Sequence, residues 1–237
     1  MFSGILKEGF ERSGVPAGDA AIGKMHDFYL LLEQANDSMN LTAVKGEQAN
    51  ARRNFLDSCN RPAYDVFLHA ENVIDVGSGA GFPGLPLAIL LPHVRFTLLE
   101  ARQKRADFLS MCRERLGLTN VEVVCARAED AARTPLRESF DAATARAVAE
   151  TNILCEYLLP FIKTGGTACL YKGASAHEEA LHAQNAAHLL GGGDFIIKNY
   201  TIFDDKDQFH MILTPKVSPT PTQYPRKSGK PTKHPLI

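Results

Sequence analysis

The sequence predicts an α/β fold, a Rossmann-like seven-stranded sheet that is mostly parallel with one antiparallel strand, preceded by N-terminal helices. Three observations carry this. From Asn72 onward, short apolar runs alternate with longer amphipathic ones, the pattern of strands and helices in turn. The first run passes straight into Gly77-Ser78-Gly79-Ala80-Gly81-Phe82-Pro83-Gly84, four glycines within eight residues. The last two extended runs, DFIIKNYTIF and QFHMILTP, are joined only by Asp204-Asp205-Lys206-Asp207. So short a link permits only an antiparallel pair, and the sheet is expected to carry its reversed strand at its end.

Residues 1–70 read as a helical extension. In GDAAIGKMHDFYLLLEQAND the apolar residues Ile22, Met25, Phe28, Tyr29 and Leu32 recur at spacings of three and four, which makes one buried stripe. Asn40 to Val44 form a connection, and helical pattern resumes near Gly46. Residues 71–215 form the core. NVIDVG is a strand, and FPGLPLAILLP is a helix opened by prolines and closed at Pro92. VRFTLLE is a strand, and ARQKRADFLSMCRERLGL is an amphipathic helix stopped at Gly117. The strand VEVVCA, the strand FDAATARA and the helix NILCEYLLPFI come next. The strand GGTACLYKG and a helix ending in Gly191-Gly192-Gly193 complete the alternation before the final pair. Residues 216–237 are a tail biased toward Pro, Lys and Thr.

Length and composition fit one ordinary globular domain with short appendages: 237 residues, 45% hydrophobic and 22% charged. No stretch approaches the roughly 18 apolar residues of a membrane span, and the N-terminus lacks a secretory h-region and cleavage site. A cytoplasmic protein with no membrane partner is therefore expected, a monomer by default. The five cysteines are odd in number, widely spaced and without a C-x-x-C pair. This argues against a zinc ribbon and a disulfide framework and points to buried thiols. The eight histidines form no H-x-E or H-x-x-H pattern, so no metal is expected. Charge is uneven. Lys216, Arg226, Lys227, Lys230 and Lys233 give the acid-free tail a net +5, leaving −6 on the rest of a chain whose net charge is −1. An acidic body with a cationic tail suits a polyanionic partner met locally.

The glycine loop is the strongest signal. Glycines at the carboxyl end of a first strand allow a tight turn and let a nucleotide-like cofactor lie against backbone. Gly79, Gly81 and Gly84 satisfy G-x-G-x-x-G, so a dinucleotide competes for the loop. A dinucleotide places its pyrophosphate on the helix N-terminus, whereas S-adenosylmethionine lays its amino acid end along the loop. Asp75 lies inside the strand, where it can brace the loop or face the cofactor ammonium. Glu100 ends the second strand, where it can accept from both ribose hydroxyls or cap the next helix. Ala128, Glu129 and Asp130 come just after the third strand, where adenine would be gripped. With no second domain to hold a nicotinamide's substrate, these details favour S-adenosylmethionine over NAD, with Asp75, Gly77, Gly79 and Glu100 as contacts. The fold is then that of a class I S-adenosylmethionine methyltransferase, releasing S-adenosylhomocysteine.

The residues just past the fourth strand narrow the acceptor. Ala143-Thr144-Ala145-Arg146-Ala147-Val148-Ala149 holds no [DNS]-P-P-[YFW] motif, no cluster of acids, and no cysteine in the chain comes directly after a proline. One arginine stands there, Arg146. The chain resembles the bacterial glucose-inhibited division protein B family, ribosomal RNA small subunit methyltransferase G. The matching pieces are Asn40 to Val44, Leu56-Asp57-Ser58, Asp75 to Pro86, Leu98-Leu99-Glu100, Lys104-Arg105, Phe108-Leu109 and Ala128-Glu129. Ala145-Arg146-Ala147, Tyr171-Lys172-Gly173, Arg226 to Pro231 and Pro235-Leu236 complete them. The resemblance implies 7-methylguanosine as product, at guanosine 527 in the 530 loop of 16S rRNA, within the small ribosomal subunit or an assembly intermediate. It also implies cofactor contacts at Gly77, Phe82, Ala128, Glu129 and Arg146. Asn54 stands where the family often has histidine, and Cys59 where it has leucine, which puts the RNA contact at Asn54 in question.

Guanine N7 carries an in-plane lone pair and needs no deprotonation, so no general base is required and positioning supplies the rate. The catalytic residue stays open, with Arg146 and Lys172 as candidates. Arg146 can bond guanine O6, a phosphate or the cofactor, or it pairs with Glu129 or Asp141. Lys172 is a candidate RNA-backbone contact or a plain surface lysine. Arg52, Arg53, Asn54, Lys104, Arg105, Arg226, Lys227, Lys230 and Lys233 are further RNA candidates. A small-molecule methyltransferase on the same core and a non-catalytic RNA-binding module are the alternatives. The tail argues against the first and the intact loop against the second.

Overall fold

Two helices open the chain, α1 (Phe2–Ser13) and α2 (Asp19–Met39). α1 stops where Gly14 turns left-handed at φ 67°. α2 buries Ile22, Met25, Phe28, Tyr29 and Leu32, the stripe its spacing predicts. A short α3 (Glu47–Asn50) runs into a π-helical turn at Ala51–Leu56. α4 (Arg61–Phe67) is capped by the Asn60 side chain, which accepts from the Ala63 amide at 2.9 Å. The computed structural model describes residues 1–203 and 209–237. The link read at Asp204 to Asp207 lies outside them.

The core then alternates. β1 (Asn72–Val76) leads to α5 (Gly84–Leu90), and β2 (Arg95–Glu100) to α6 (Gln103–Arg115). β3 (Val121–Cys125) leads to a short α7 (Ala128–Ala131), and β4 (Phe140–Arg146) to α8 (Thr151–Leu158). β5 (Ile162–Lys172) precedes α9 (Ala176–Leu189), and β6 (Ile196–Tyr200) precedes β7 (Phe209–Pro215). α10 (Lys230–Lys233) lies in the tail.

These strands make one seven-stranded sheet in the order β3-β2-β1-β4-β5-β7-β6. Strands β1 to β5 are parallel to one another, and β7 runs antiparallel to both β5 and β6. One expectation is corrected here. The reversed strand does not end the sheet; it is inserted between β5 and β6. Side-chain character explains the order. In β7, Met211 and Ile212 are fully buried in the cores on opposite faces of the sheet, as suits an interior strand. In β6, Ile196, Lys198 and Asn199 are exposed, and a polar strand tolerates the edge.

Helices cover both faces. The N-terminal helices, α5 and α6 pack on one face through Phe28, Phe55, Leu85, Phe108 and Leu109. On the other face Leu154, Leu158, Ala180 and Ala187 of α8 and α9 meet Ile74, Ala143 and Leu170. Four cysteines, Cys59, Cys112, Cys155 and Cys169, are buried, while Cys125 is exposed.

Candidate functional site

All five parallel strands end at one edge of the sheet, and the chemistry-bearing residues sit just past those ends. At β1 the chain turns through Gly77, Gly79 and Gly81 with φ of 76°, 57° and 100°. Only glycine takes such values without strain. The Gly77 and Ser78 amides donate to the Leu99 carbonyl at 2.8 and 3.2 Å, which ties the loop to β2. A Cβ placed on Gly77 would stand 2.8 Å from Val148 Cγ2, so the connection after β4 closes directly over this glycine.

Two acids hold the loop. Asp75 is fully buried, and its Oδ2 accepts from the Gly84 amide at 3.0 Å. It braces the loop against the start of α5. Its Oδ1 is buried and has no hydrogen-bond partner among the described residues. Glu100 accepts from the Gly79 amide at 2.9 Å through Oε2 and from the Arg102 amide at 2.8 Å through Oε1. It therefore links the glycine turn to the entry of α6.

Burial pushes Asp75 up to about 7, against the opposing bonds from Ser78 and Gly84. Its proton is then held more tightly in the folded chain than in the unfolded one. The stability it contributes is complete below the ordinary value near 3.8 and is lost as pH rises toward about 7. The span corresponds to a few kcal/mol, on the order of 1.4 per unit. Denaturant melts at pH 5 and pH 8 should show a drop in stability that shrinks in Asp75→Asn. An equal drop in both proteins would remove Asp75 as its source.

Beyond β3, Ala128 is partly buried and Glu129 is buried at the start of α7. Glu129 Oε1 accepts from the Gly229 amide of the tail at 2.8 Å, so it is not a surface acid. Asp130 beside it is exposed. Phe82 is buried among Phe28 and Phe55, each 5.2 Å away between ring centroids. The N-terminal helices thus set the position of a loop residue.

Arg146 ends β4 with its guanidinium 5.1 Å from the Phe82 ring centroid. Its partner is not Glu129 or Asp141. Nη1 donates to Asp57 Oδ2 at 2.8 Å and to the Arg53 carbonyl at 2.9 Å, and Nη2 donates to Asn54 Oδ1 at 3.0 Å. Asp141 instead accepts from the Glu71 and Asn72 amides and pairs with Lys163 at 2.6 Å. Asn54 is buried and also donates to Asn50 Oδ1 at 2.8 Å. It holds Arg146 from inside the protein.

Lys172 is not a surface lysine either. Its ammonium donates to Glu179 at 2.6 Å and to the Ala149 carbonyl at 2.9 Å, with the side chain only 8% exposed. Although burial opposes it, bonds from Lys172, Ser175 and Thr151 hold Glu179 down at about 2. Lys172 thereby anchors the connection after β4.

The tail is folded against the core. Arg226 donates to both oxygens of the buried Glu156 through Nε and Nη2, at 2.6 to 3.0 Å. Lys216, counted among the tail's cations by sequence, is buried, donating to the Leu159 carbonyl at 2.7 Å and to the Thr220 hydroxyl. Burial lowers it to about 8. Lys227, Lys230 and Lys233 are exposed, as are Arg53 and Lys104, while Arg52 and Arg105 are half-buried. The cationic surface of the tail therefore reduces to three lysines.

Sequence reasoning misses Asp57, Tyr171 and Tyr200 as site residues. Asp57 Oδ1 accepts from the Tyr200 hydroxyl at 2.6 Å, and the Tyr171 hydroxyl donates to the Ser58 carbonyl at 2.5 Å. A pocket of about 330 Å³ opens here, lined by Asp57, Arg146, Tyr171, Lys172, Tyr200 and Phe209. The available signal was the Leu56-Asp57-Ser58 segment, whose partners lie far away in sequence.

Comparison with known proteins adds to this geometry. The family model described as rRNA small subunit methyltransferase G matches residues 21–204. The chain is similar to the ribosomal RNA small subunit methyltransferase G of Clostridium beijerinckii, 36% identical over 236 residues and covering 99% of each chain. It is 40% identical over 227 residues to the protein of that name from Geobacillus kaustophilus, covering 95% of each. Among solved structures, an O-methyltransferase from Bacillus cereus in complex with SAH superposes with a TM-score of 0.58 at 18% identity. That match covers 91% of this chain and 100% of the other, and it extends to the fold alone.

Proposed function

The chain belongs to the rRNA small subunit methyltransferase G family, and on that premise we propose that it transfers a methyl group from S-adenosylmethionine to N7 of a guanosine in the 530 loop of 16S rRNA. The observation that carries this reading is the glycine turn at the carboxyl end of β1, with Glu100, Glu129 and Arg146 past the ends of the neighbouring strands. The residues fit the cofactor. Gly77 shapes the turn and Gly79 leaves backbone open to an amino acid end, since no atom lies closer than 3.8 Å to where its Cβ would stand; Asp75 keeps beneath the loop a buried oxygen with no hydrogen-bond partner among the described residues. Glu100 offers a carboxylate to ribose hydroxyls, and Ala128 and Glu129 flank the adenine position. When bound, S-adenosylmethionine supplies an electrophilic methyl group on sulfur.

The chain's own task is positioning. Arg146, fixed by Asp57, Asn54 and Phe82, presents its cation between the loop and the pocket. Because N7 attacks through a lone pair it already has, no side chain must take a proton first. Lys172 acts by holding Ala149 and with it the connection over Gly77. Phosphate contact falls to Arg52, Arg53, Lys227, Lys230 and Lys233, while Asn54 and Arg226 act through the contacts they make inside the protein. Salt-dependent binding is expected from such contacts.

The test is incubation with labelled S-adenosylmethionine and undermethylated small subunits, followed by mapping of the product. Label in small molecules and none in RNA would overturn the reading. Lys230→Glu combined with Lys233→Glu should weaken RNA binding and lower the slope of log K against log salt by about 2, while sparing cofactor affinity. Equal loss of both affinities would instead mean that the tail substitutions disturb the fold.

A further inference from the structure

The pocket beside Arg146 has features of a base-reading site, and its assignment rests on the methyltransferase reading. Its wall includes Tyr200 and Phe209, whose rings stack with centroids 5.7 Å apart and planes inclined by 23°. Aromatic faces are what an unstacked base needs. Its side-chain acceptor is Asp57, from the N-terminal helical extension. Among the described residues each Asp57 carboxylate oxygen accepts one bond, Oδ1 from Tyr200 and Oδ2 from Arg146. A carboxylate oxygen accepts about two, so each keeps acceptor capacity. The cations of the pocket are already engaged, Lys172 by Glu179 and Arg146 by Asp57 itself.

A carboxylate in such a wall discriminates by donor pattern. Guanine presents two adjacent donors on its Watson–Crick edge, N1–H and the 2-amino group. Adenine presents an acceptor at N1, and uracil flanks its single N–H with carbonyls. Holding the Watson–Crick edge also leaves N7, on the opposite side of the purine, free to face the transferred methyl. We propose that this pocket receives the acceptor guanine, with Asp57 as the specificity-determining residue that accepts from N1–H and the 2-amino group. Tyr200 and Phe209 form its stacking wall.

The experiment compares single-turnover methylation of small subunits reconstituted with guanosine or inosine at the acceptor position, since inosine lacks the 2-amino group. The wild-type enzyme should prefer guanosine by roughly ten- to hundredfold, the worth of one hydrogen bond to a charged group. In Asp57→Asn the preference should collapse toward one. Any loosening of Arg146 lowers both rates together and cancels in that ratio. Tyr200→Leu should raise KM for both RNAs. A guanosine preference that survives intact in Asp57→Asn, with transfer to guanosine still observed, would overturn this proposal alone. Absence of transfer by the wild-type enzyme would overturn the methyltransferase reading and the proposal with it.

Discussion

Gly77→Val is expected to abolish cofactor binding. The left-handed φ of 76° costs a residue with a Cβ about 1–2 kcal/mol, and a β-branched one more. The new Cβ would also stand 2.8 Å from Val148 Cγ2, so the connection after β4 must move. That connection is not slack, because Ala147 is itself left-handed at φ 55° and Lys172 grips the Ala149 carbonyl. The strained turn would moreover no longer present its backbone as the proposed amino acid end of the cofactor requires. Titration calorimetry should show affinity reduced by roughly a hundredfold or more, the scale of a few kcal/mol from overpacking. Pairing the change with Val148→Ala separates the two causes. The double variant should regain thermal stability without regaining the cofactor. Unchanged affinity in Gly77→Val would refute the assignment of the loop.

The second large effect lies in the tail. Glu156 is 1% exposed and accepts from Arg226 through the guanidinium and also through the backbone amide at 2.7 Å. Glu156→Ala would strand a mostly buried cation, which typically costs about 3–5 kcal/mol. For a chain of this size the melting temperature should fall by about 10 °C. The same change should loosen the Gly229 amide from Glu129 and release the segment carrying Lys227, Lys230 and Lys233. Thermal melts and RNA binding at low salt measure both consequences. A melting temperature within about 2 °C of wild type would show that the pair does not hold the tail.

Much of the fold is legible because it is written locally. The alternation of apolar runs fixes strands and helices, the spacing in α2 fixes its buried stripe, and the glycines between β1 and α5 announce a turn only they can make. Asp75, Glu100 and Arg146 could be picked out because they lie at or near strand ends, and strand ends in a parallel sheet share one edge. The roles of the cations were not legible. Lys172, Lys216 and Arg226 read alike as positive charge, and what separates them is a partner acid or carbonyl brought up by folding.

The sequence by itself determined the order of elements and the glycine turn, since each depends on residues within a few positions of one another. Only the tertiary structure decided that β7 slips between β5 and β6, and that Asp57 joins Arg146, 89 residues away, to Tyr200, 143 residues away. Such pairings depend on which surfaces the packed sheet and helices bring within hydrogen-bonding distance, and no periodicity along the chain encodes that distance.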